Sequence, residues 1–277
     1  ALSSSWNILS GYTGYISLGH NVFFAVGGYV SGLLLLELGW SPFATALLAG
    51  VVSLLLGVVV GLITYRTRGP AFIISTIALL LVITLLMDNW SYLGGSNGLS
   101  LPLPPFDISW VKVPFYYSML LAALGAVVLG YRVQHSKFGM ALRAIAGDEV
   151  KAEVTGINTR KYKLMAFALS AFFPGVVGAL WGYSLAYLRP VIFLLIAVAA
   201  RMVLMAIIGG RGTVAGPVLG AIVVVFFDEA SITFFGGSEL NLVITGALLV
   251  MMLLFFPMGI VGTLRQHGRL PAWLDWD

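Results

Sequence analysis

The chain has 277 residues, of which 60% are hydrophobic and 9% charged, with 15 Lys and Arg against 11 Asp and Glu. Its mean hydropathy of +1.00 excludes an ordinary soluble core and indicates an integral membrane protein. The sequence has no cysteine, which excludes disulfides, iron–sulfur clusters and thiol chemistry.

Apolar runs long enough to cross a hydrocarbon layer of roughly 30 Å recur along the whole sequence. Because they lack strict apolar/polar alternation, they predict an all-α fold, a polytopic bundle of transmembrane helices, rather than a β-barrel. We expect residues 1–277 to form one transmembrane domain, and residues 1–9 to be the end of one more span. The eight predicted spans are 20–38, 42–64, 70–87, 114–131, 162–187, 190–208, 214–235 and 240–262.

The first polar feature is GYTGYISLGH, residues 11–20, which combines three glycines with Ser17 and His20 and is followed by Asn21. Polar groups are costly in lipid, so these side chains must face protein or water. One reading is a broken segment that lines a solute path. The other is that His20 binds a backbone carbonyl at the cytoplasmic end of a span. Both readings predict a helix junction here.

A long loop, residues 88–113, is predicted on the outer side. It mixes Gly-Gly, Asn-Gly and Pro-Pro breakers with Trp90, Tyr92, Phe106 and Trp110. Aromatic residues at the end of a span usually mark the headgroup belt. Docking of an external protein is the alternative.

The second long loop, residues 132–161, is predicted on the inner side and contains a short helix. Asp148 and Glu149 supply the negative charge that a helix N-terminus favours, and Thr155-Gly156-Ile157 is typical of a Schellman stop. The helix between them is expected to be about 12 Å long at roughly 1.5 Å per residue. Asn158 or Thr159 is then expected to cap the next helix.

This short helix carries Glu149 and Glu153 on one side. A connector lying on anionic lipid would not place two acids together. We therefore interpret the acids as a docking surface for a basic or mixed cytoplasmic protein.

The positive charges predict the orientation. If the eight spans alternate, twelve of the 15 Lys and Arg fall on one side, in the connections at 65–69, 132–161 and 209–213, at the start of the fifth span and in the C-terminal tail. On the other side, only Lys112 and Arg189 accompany the acids Glu37, Asp88, Asp107 and Glu239. This positive-inside pattern places both ends of the chain in the cytoplasm, and it explains the basic balance without nucleic acid.

Arg201 is a cation inside a predicted span, roughly 10 Å from its inner end. A buried cation costs at least about 2.5 kcal/mol unless it is paired or hydrated. The carboxylates inside a predicted span are Asp228 and Glu229, on the next helix. Arg201 is therefore expected either to pair with one of them or to contact a passing carboxylate or dipole.

Three stretches resemble the membrane subunits of ATP-binding-cassette importers for branched-chain amino acids and related small solutes such as urea and amides. They are GYTGYISLGHNVFFAVGGYVSGLL at 11–34, SKFGMALRAIAGDEVKAEVTGINTRKYKLMAFALSA at 136–171 and MAIIGGRGTVAGPVLGA at 205–221. The chain departs from the family pattern at Ala199 and Arg201, where relatives commonly carry a Ser and an acidic residue before the Gly-Gly turn.

The resemblance implies a type II importer permease in a bacterial-type cytoplasmic (inner) membrane. It implies a second permease subunit, homologous or identical, two ATP-binding cassette subunits and an external solute-binding protein. It also implies a coupling helix over 148–157 that contacts the ATPases. The residues assigned to coupling are Arg143, Asp148, Glu149, Ala152, Glu153, Gly156 and Ile157, and those assigned to the translocation path are Ser17, His20, Asn21, Arg201, Asp228 and Glu229.

No GxxxxGK[ST] phosphate-binding loop occurs in the sequence. ATP and Mg²⁺ are therefore expected on partner subunits, with no cofactor, metal or catalytic residue on this chain. A self-sufficient ion-coupled carrier or channel is the alternative, and it would rest on Asp228 and Glu229. An intramembrane enzyme lacks a candidate nucleophile and base, because the three histidines are scattered at 20, 135 and 267.

Overall fold

A computed structural model describes residues 1–107, 110–235, 246–247, 250–251, 254–256, 258–268 and 276. Within these residues seven helical segments are long and apolar enough to cross a membrane. The helices are α1 Leu2–Trp6, α2 Asn21–Leu38, α3 Pro42–Thr64, α4 Pro70–Asn89, α5 Lys112–Gln134, α6 Lys137–Gly147, α7 Glu149–Val154, α8 Thr159–Leu185, α9 Pro190–Leu194, α10 Ile196–Gly209, α11 Ala215–Phe235 and α12 Gly259–Gln266.

The all-α polytopic fold is confirmed, and the seven membrane-spanning segments match the first seven predicted spans. Helix α5 ends three residues after its predicted span, and α8 begins three residues before its own, because backbone hydrogen bonding continues where the side chains become polar. The predicted span 190–208 is broken at Leu195, between α9 and α10. Glu239 lies outside the described residues, and so do 240–245, 248–249, 252–253 and 257 of the eighth predicted span, 240–262.

Helix α8 packs against α2, α3 and α5. The closest approaches occur at glycines. A Cβ atom on Gly27 of α2 would lie 2.0 Å from the Gly175 carbonyl oxygen of α8, and one on Gly178 would lie 1.9 Å from the Phe24 carbonyl oxygen. Small residues at these positions let the two backbones touch, which is the main source of helix association in lipid.

Helices α10 and α11 form a tight hairpin by the same means. A Cβ on Gly209 would lie 1.7 Å from the Gly216 carbonyl oxygen, and one on Gly220 would lie 1.7 Å from the Met205 carbonyl oxygen. This packing fixes the spacing between polar side chains farther along the two helices.

The predicted helix junction is confirmed at residues 14–20. α1 continues as a π-helical turn, Asn7–Gly11, and the chain is then non-helical from Gly14, at φ 78°, until α2 begins. The Trp6 indole donates to the Ser17 carbonyl oxygen at 2.7 Å and holds the two sides of the junction together.

The long loop predicted on the outer side, which we call the outer loop, contains two 3-10 turns, Ser91–Leu93 and Gly95–Asn97, and a short strand β1, Leu99–Ser100. β1 pairs antiparallel with β2, Tyr187–Leu188, which directly follows α8. Arg189 donates from Nε to the Ser96 carbonyl oxygen at 3.2 Å. The outer loop is therefore bonded to the outer end of α8.

Candidate functional site

The short inner helix α7 is fixed at both ends, as the sequence predicts. The Asp148 carboxylate accepts the backbone N–H groups of Val150 and Lys151 at 3.0 and 3.1 Å. These bonds to its charged form lower the pKa of Asp148. The helix has six residues and is about 9 Å long, shorter than expected, because Asp148 and Thr155 are its caps.

The Schellman stop is also present. Gly156 lies at φ 89°, its N–H donates to the Glu153 carbonyl oxygen at 2.9 Å, and the Ile157 N–H donates to the Ala152 carbonyl oxygen at 3.0 Å. Asn158 then caps α8 by accepting the Lys161 N–H at 3.0 Å.

Glu149 lies in a closed polar cluster, which we call the inner cluster. Lys163 donates from Nζ to its carboxylate at 2.7 Å, Arg68 Nε lies at 3.3 Å, and the Tyr15 hydroxyl also donates to it. The side chains of Glu149 and Lys163 are only 9% and 8% exposed. These partners come from the helix junction, the α3–α4 loop and α8.

Electrostatics fixes the protonation states in the inner cluster. Burial would raise the pKa of Glu149, but the hydrogen bonds from Lys163 and Tyr15, together with the charges of Lys163 and Arg68, bring the pKa below its usual value. The pKa of Tyr15 is raised, mainly by burial and secondly by its hydrogen bond to Glu149. The carboxylate is therefore ionised and the phenol is the donor.

Glu153 is less enclosed. Thr159 donates from Oγ1 to its carboxylate at 2.6 Å, and Arg68 Nη2 lies 3.7 Å from the same carboxylate. The Glu153 side chain is 47% exposed. The interpretation that both acids lie free for a basic partner is wrong for Glu149, because cations of the same chain already neutralise it. The role of both acids in coupling stays a prediction.

The exposed side of α7 is apolar instead. Val150 and Val154 are one turn apart and 55% and 85% exposed, whereas Ala152 faces inward and is 4% exposed. Lys151 lies between the two valines with its side chain 85% exposed. We call Val150, Lys151 and Val154 the valine face. Its signal, an apolar pair at i,i+4 in a polar loop, was readable from the sequence and was missed.

The remaining predicted coupling residues are Arg143, Gly156 and Ile157, and they do not bind a common group. Arg143 is exposed on α6 and donates from Nη2 to the Gln134 carbonyl oxygen at 3.0 Å, which ties α6 to the end of α5. Gly156 is exposed and Ile157 half-buried at the stop.

The predicted path residues Ser17, His20 and Asn21 are all buried, at most 1% exposed. His20 contacts the Ser17 hydroxyl at 3.1 Å and the Ser170 hydroxyl at 2.9 Å. Ser170 is the twelfth residue of α8, about 16 Å along it. His20 directly precedes α2 and so lies at the end of a span, as predicted, but its partners are hydroxyls rather than a backbone carbonyl. That this end faces the cytoplasm stays a prediction.

Asn21 supports the break between α9 and α10. Its Nδ2 donates to the carbonyl oxygens of Phe193 and Leu195 at 3.3 and 3.1 Å. The amide thus satisfies backbone acceptors that an uninterrupted helix would have bonded itself. A role of Ser17, His20 and Asn21 in translocation stays a prediction.

Arg201 pairs with Asp228, one of the two carboxylates that the sequence offered. Its Nη2 lies 3.4 Å from Oδ2 of Asp228, with side-chain exposures of 55% and 15%. Glu229 is exposed on α11. A cavity of about 270 Å³ lies beside Arg201. Its other lining residues are Leu2, Phe24, Val177, Trp181, Val198, Met202 and Met205.

In the described ranges, no group of three His, Asp or Glu side chains could hold a metal ion.

Residues 1–253 match the family model for the permease component of branched-chain amino acid transport systems, and the chain belongs to this family. It is thus a multi-pass membrane permease.

Two relatives show how the match extends along the chain. The high-affinity branched-chain amino acid transport system permease protein LivM of Salmonella typhimurium is 28% identical, over 96% of this chain and 68% of that protein. Its counterpart LivH of Escherichia coli K12 is 25% identical, over 94% of this chain and 90% of that protein.

A more distant relative is the ribose import permease protein RbsC of Haemophilus influenzae. It is 27% identical over 65% of this chain and 58% of that protein. No solved structure matches the chain.

Proposed function

We propose that this permease is a subunit of an ATP-driven importer for branched-chain amino acids or similar small polar solutes. In this proposal it forms the translocation path with a second permease subunit. Two ATP-binding cassette subunits carry ATP and Mg²⁺, and an external protein delivers the solute. The similarity to both LivM and LivH supports a system with two permease subunits. The proposed location is a bacterial-type cytoplasmic membrane, with α7 and both chain ends on the cytoplasmic side.

The observation that carries the coupling proposal is the valine face on a helix that the chain itself holds rigid. A six-residue helix is too short to be stable alone. The caps and the inner cluster fix it, so a force applied to α7 reaches the helices bonded to it. Two exposed valines flanking a lysine suit an apolar groove with a polar rim on an ATPase subunit.

The inner cluster provides a route from α7 into the membrane. The Tyr15 hydroxyl bonds Glu149, and Tyr15 belongs to the helix junction. Two residues farther along, Ser17 contacts His20, and His20 contacts Ser170 of α8. Movement of α7 would therefore displace the junction and the middle of α8 together.

The test is Val154→Asp in the complex assembled with its partner subunits in lipid. A carboxylate in an apolar groove is costly, so we expect loss of ATPase subunits or of solute-stimulated ATP hydrolysis, with thermal unfolding of this chain unchanged. Lys137→Asp is the matched control, because it adds a carboxylate to the first turn of α6, where negative charge is tolerated.

Full ATPase association and stimulation in Val154→Asp would show that α7 is only a connector on the lipid surface. The alternative function, an ion-coupled carrier, predicts uptake by this chain and its permease partner without ATPase subunits. Asp228 is already paired with Arg201, and this pairing does not favour the alternative.

A further inference from the structure

The Arg201–Asp228 pair lies within two of the candidate membrane spans, and the contact between the two charged groups is long. Arg201 is eight residues from the end of α10 at Gly209, about 12 Å along the helix. The two charged groups are 3.4 Å apart, longer than the roughly 2.7–2.9 Å of a strong charge-assisted hydrogen bond. More than half of the Arg201 side chain is exposed. A guanidinium facing lipid at this depth is costly, so its open side must face water, solute or protein.

The space beside this cation is apolar. Phe24 and Trp181 form one wall of the cavity, with ring centroids 5.3 Å apart, and both rings lie 5.1 Å from Phe193. Met202 and Met205 of α10 line it next to Arg201. Its volume of about 270 Å³ is just under the roughly 300 Å³ at which pockets for drug-sized ligands begin, so it suits a smaller molecule.

We propose that the Arg201–Asp228 pair and this cavity form a binding site for a zwitterionic α-amino acid with an apolar side chain. The ligand carboxylate binds the Arg201 guanidinium, the ligand ammonium binds the Asp228 carboxylate, and the side chain packs against Phe24, Trp181 and Met205. The inference rests on the proposed function and narrows it.

The two charges of the site match the two charges of the ligand. A zwitterion replaces the ion pair with two new ones, so no group is left with an unpaired charge on binding. Urea and simple amides carry no charge, and they could not compensate the separated Arg201 and Asp228. The site therefore selects α-amino acids over neutral solutes of similar size.

The test is leucine uptake by the complete importer in proteoliposomes, with its binding protein, comparing wild type with the double variant Arg201→Gln, Asp228→Asn. The double variant keeps a hydrogen-bonded neutral pair. We expect leucine uptake to fall roughly tenfold to a hundredfold, as for loss of charge-assisted contacts. The unfolding temperature should stay near wild type, and Arg66→Gln, on an exposed loop away from the site, is the control that should keep leucine uptake.

A cavity-filling variant tests the site without touching the charges. Met205→Phe should reduce leucine uptake more than alanine uptake, because the smaller side chain still fits. This comparison keeps the proposal testable if the double variant fails to assemble.

Unchanged leucine uptake in the double variant, or equal losses for leucine and alanine in Met205→Phe, would overturn the proposed site while leaving the importer function intact. Wild-type uptake of urea or an amide but not of leucine would also overturn the site and keep the importer function. Absence of uptake of all of these solutes by the wild-type complex would overturn the proposed function, and this site with it.

Discussion

Among the described residues, the carboxylates Glu149 and Asp228 both form ion pairs between different helices, but the two sites differ in how many partners the carboxylate has. Glu149 of the inner cluster has a lysine, an arginine and a tyrosine within bonding distance, and it is 9% exposed. Asp228 has Arg201 at 3.4 Å, and that arginine is 55% exposed. The Glu149 carboxylate has all its partners within the chain, so its role is structural. Arg201 has an exposed side next to a cavity, so it can still bind a ligand.

Neutralising each acid gives the largest expected contrast. Glu149→Gln leaves Lys163 buried without its anion, which should cost about 3–5 kcal/mol in the free energy of unfolding. Asp228→Asn should cost under about 1 kcal/mol, because a hydrated Arg201 does not need its partner for stability. Chemical denaturation of each variant in detergent or lipid measures both values. Similar losses would show that the two pairs have the same structural role.

The second contrast concerns the hairpin that positions Arg201 against Asp228. Gly220→Ala introduces a Cβ where the Met205 carbonyl oxygen lies 1.7 Å away. Helices α10 and α11 must separate, and the overpacking should cost about 1–3 kcal/mol. Gly147→Ala is a control, since no atom of the described residues lies within 4 Å of its Cβ position. Unfolding temperature is the first measurement, and a wild-type value in Gly220→Ala would contradict this packing.

Tyr15→Phe sharpens the account of the inner cluster. It removes the hydroxyl that bonds Glu149 but keeps the ring, which packs edge-to-face on Phe72 with centroids 5.1 Å apart. The lost bond to a charged group should cost about 1.5–3 kcal/mol. If Tyr15 also carries motion from α7 to the junction, solute uptake per ATP hydrolysed should fall. Unchanged uptake per ATP would limit Tyr15 to a structural role.

Asp148→Ala should have a smaller effect on stability than Tyr15→Phe. It removes the N-cap of α7 at a half-exposed position, where water can replace part of the lost bonding. Asp148→Asn keeps a capping oxygen and should recover most of that loss. Stability measurements on the two variants check the cap, and equal losses would indicate that charge rather than capping matters.

The local features of the sequence were sufficient to predict the seven described spans, the helix junction, the Asp148 cap and the Gly156 stop. Each depends on residues within a few positions of one another. The partners of Glu149 could not be predicted, because Tyr15, Arg68 and Lys163 come from three distant segments. For the same reason the hydroxyl partners of His20 could not be predicted, since one of them is Ser170 of α8.

Helix α8 is about 40 Å long, at 1.5 Å for each of its 27 residues. Its inner end bonds α7 through Thr159 and Lys163, and its outer end leads into β2, which is paired with the outer loop. A tilt of this rod about its middle would swing the two faces of the protein in opposite directions. Pro174 lies near that middle and removes a backbone donor from the helix, so the pivot has a defined place in the chain.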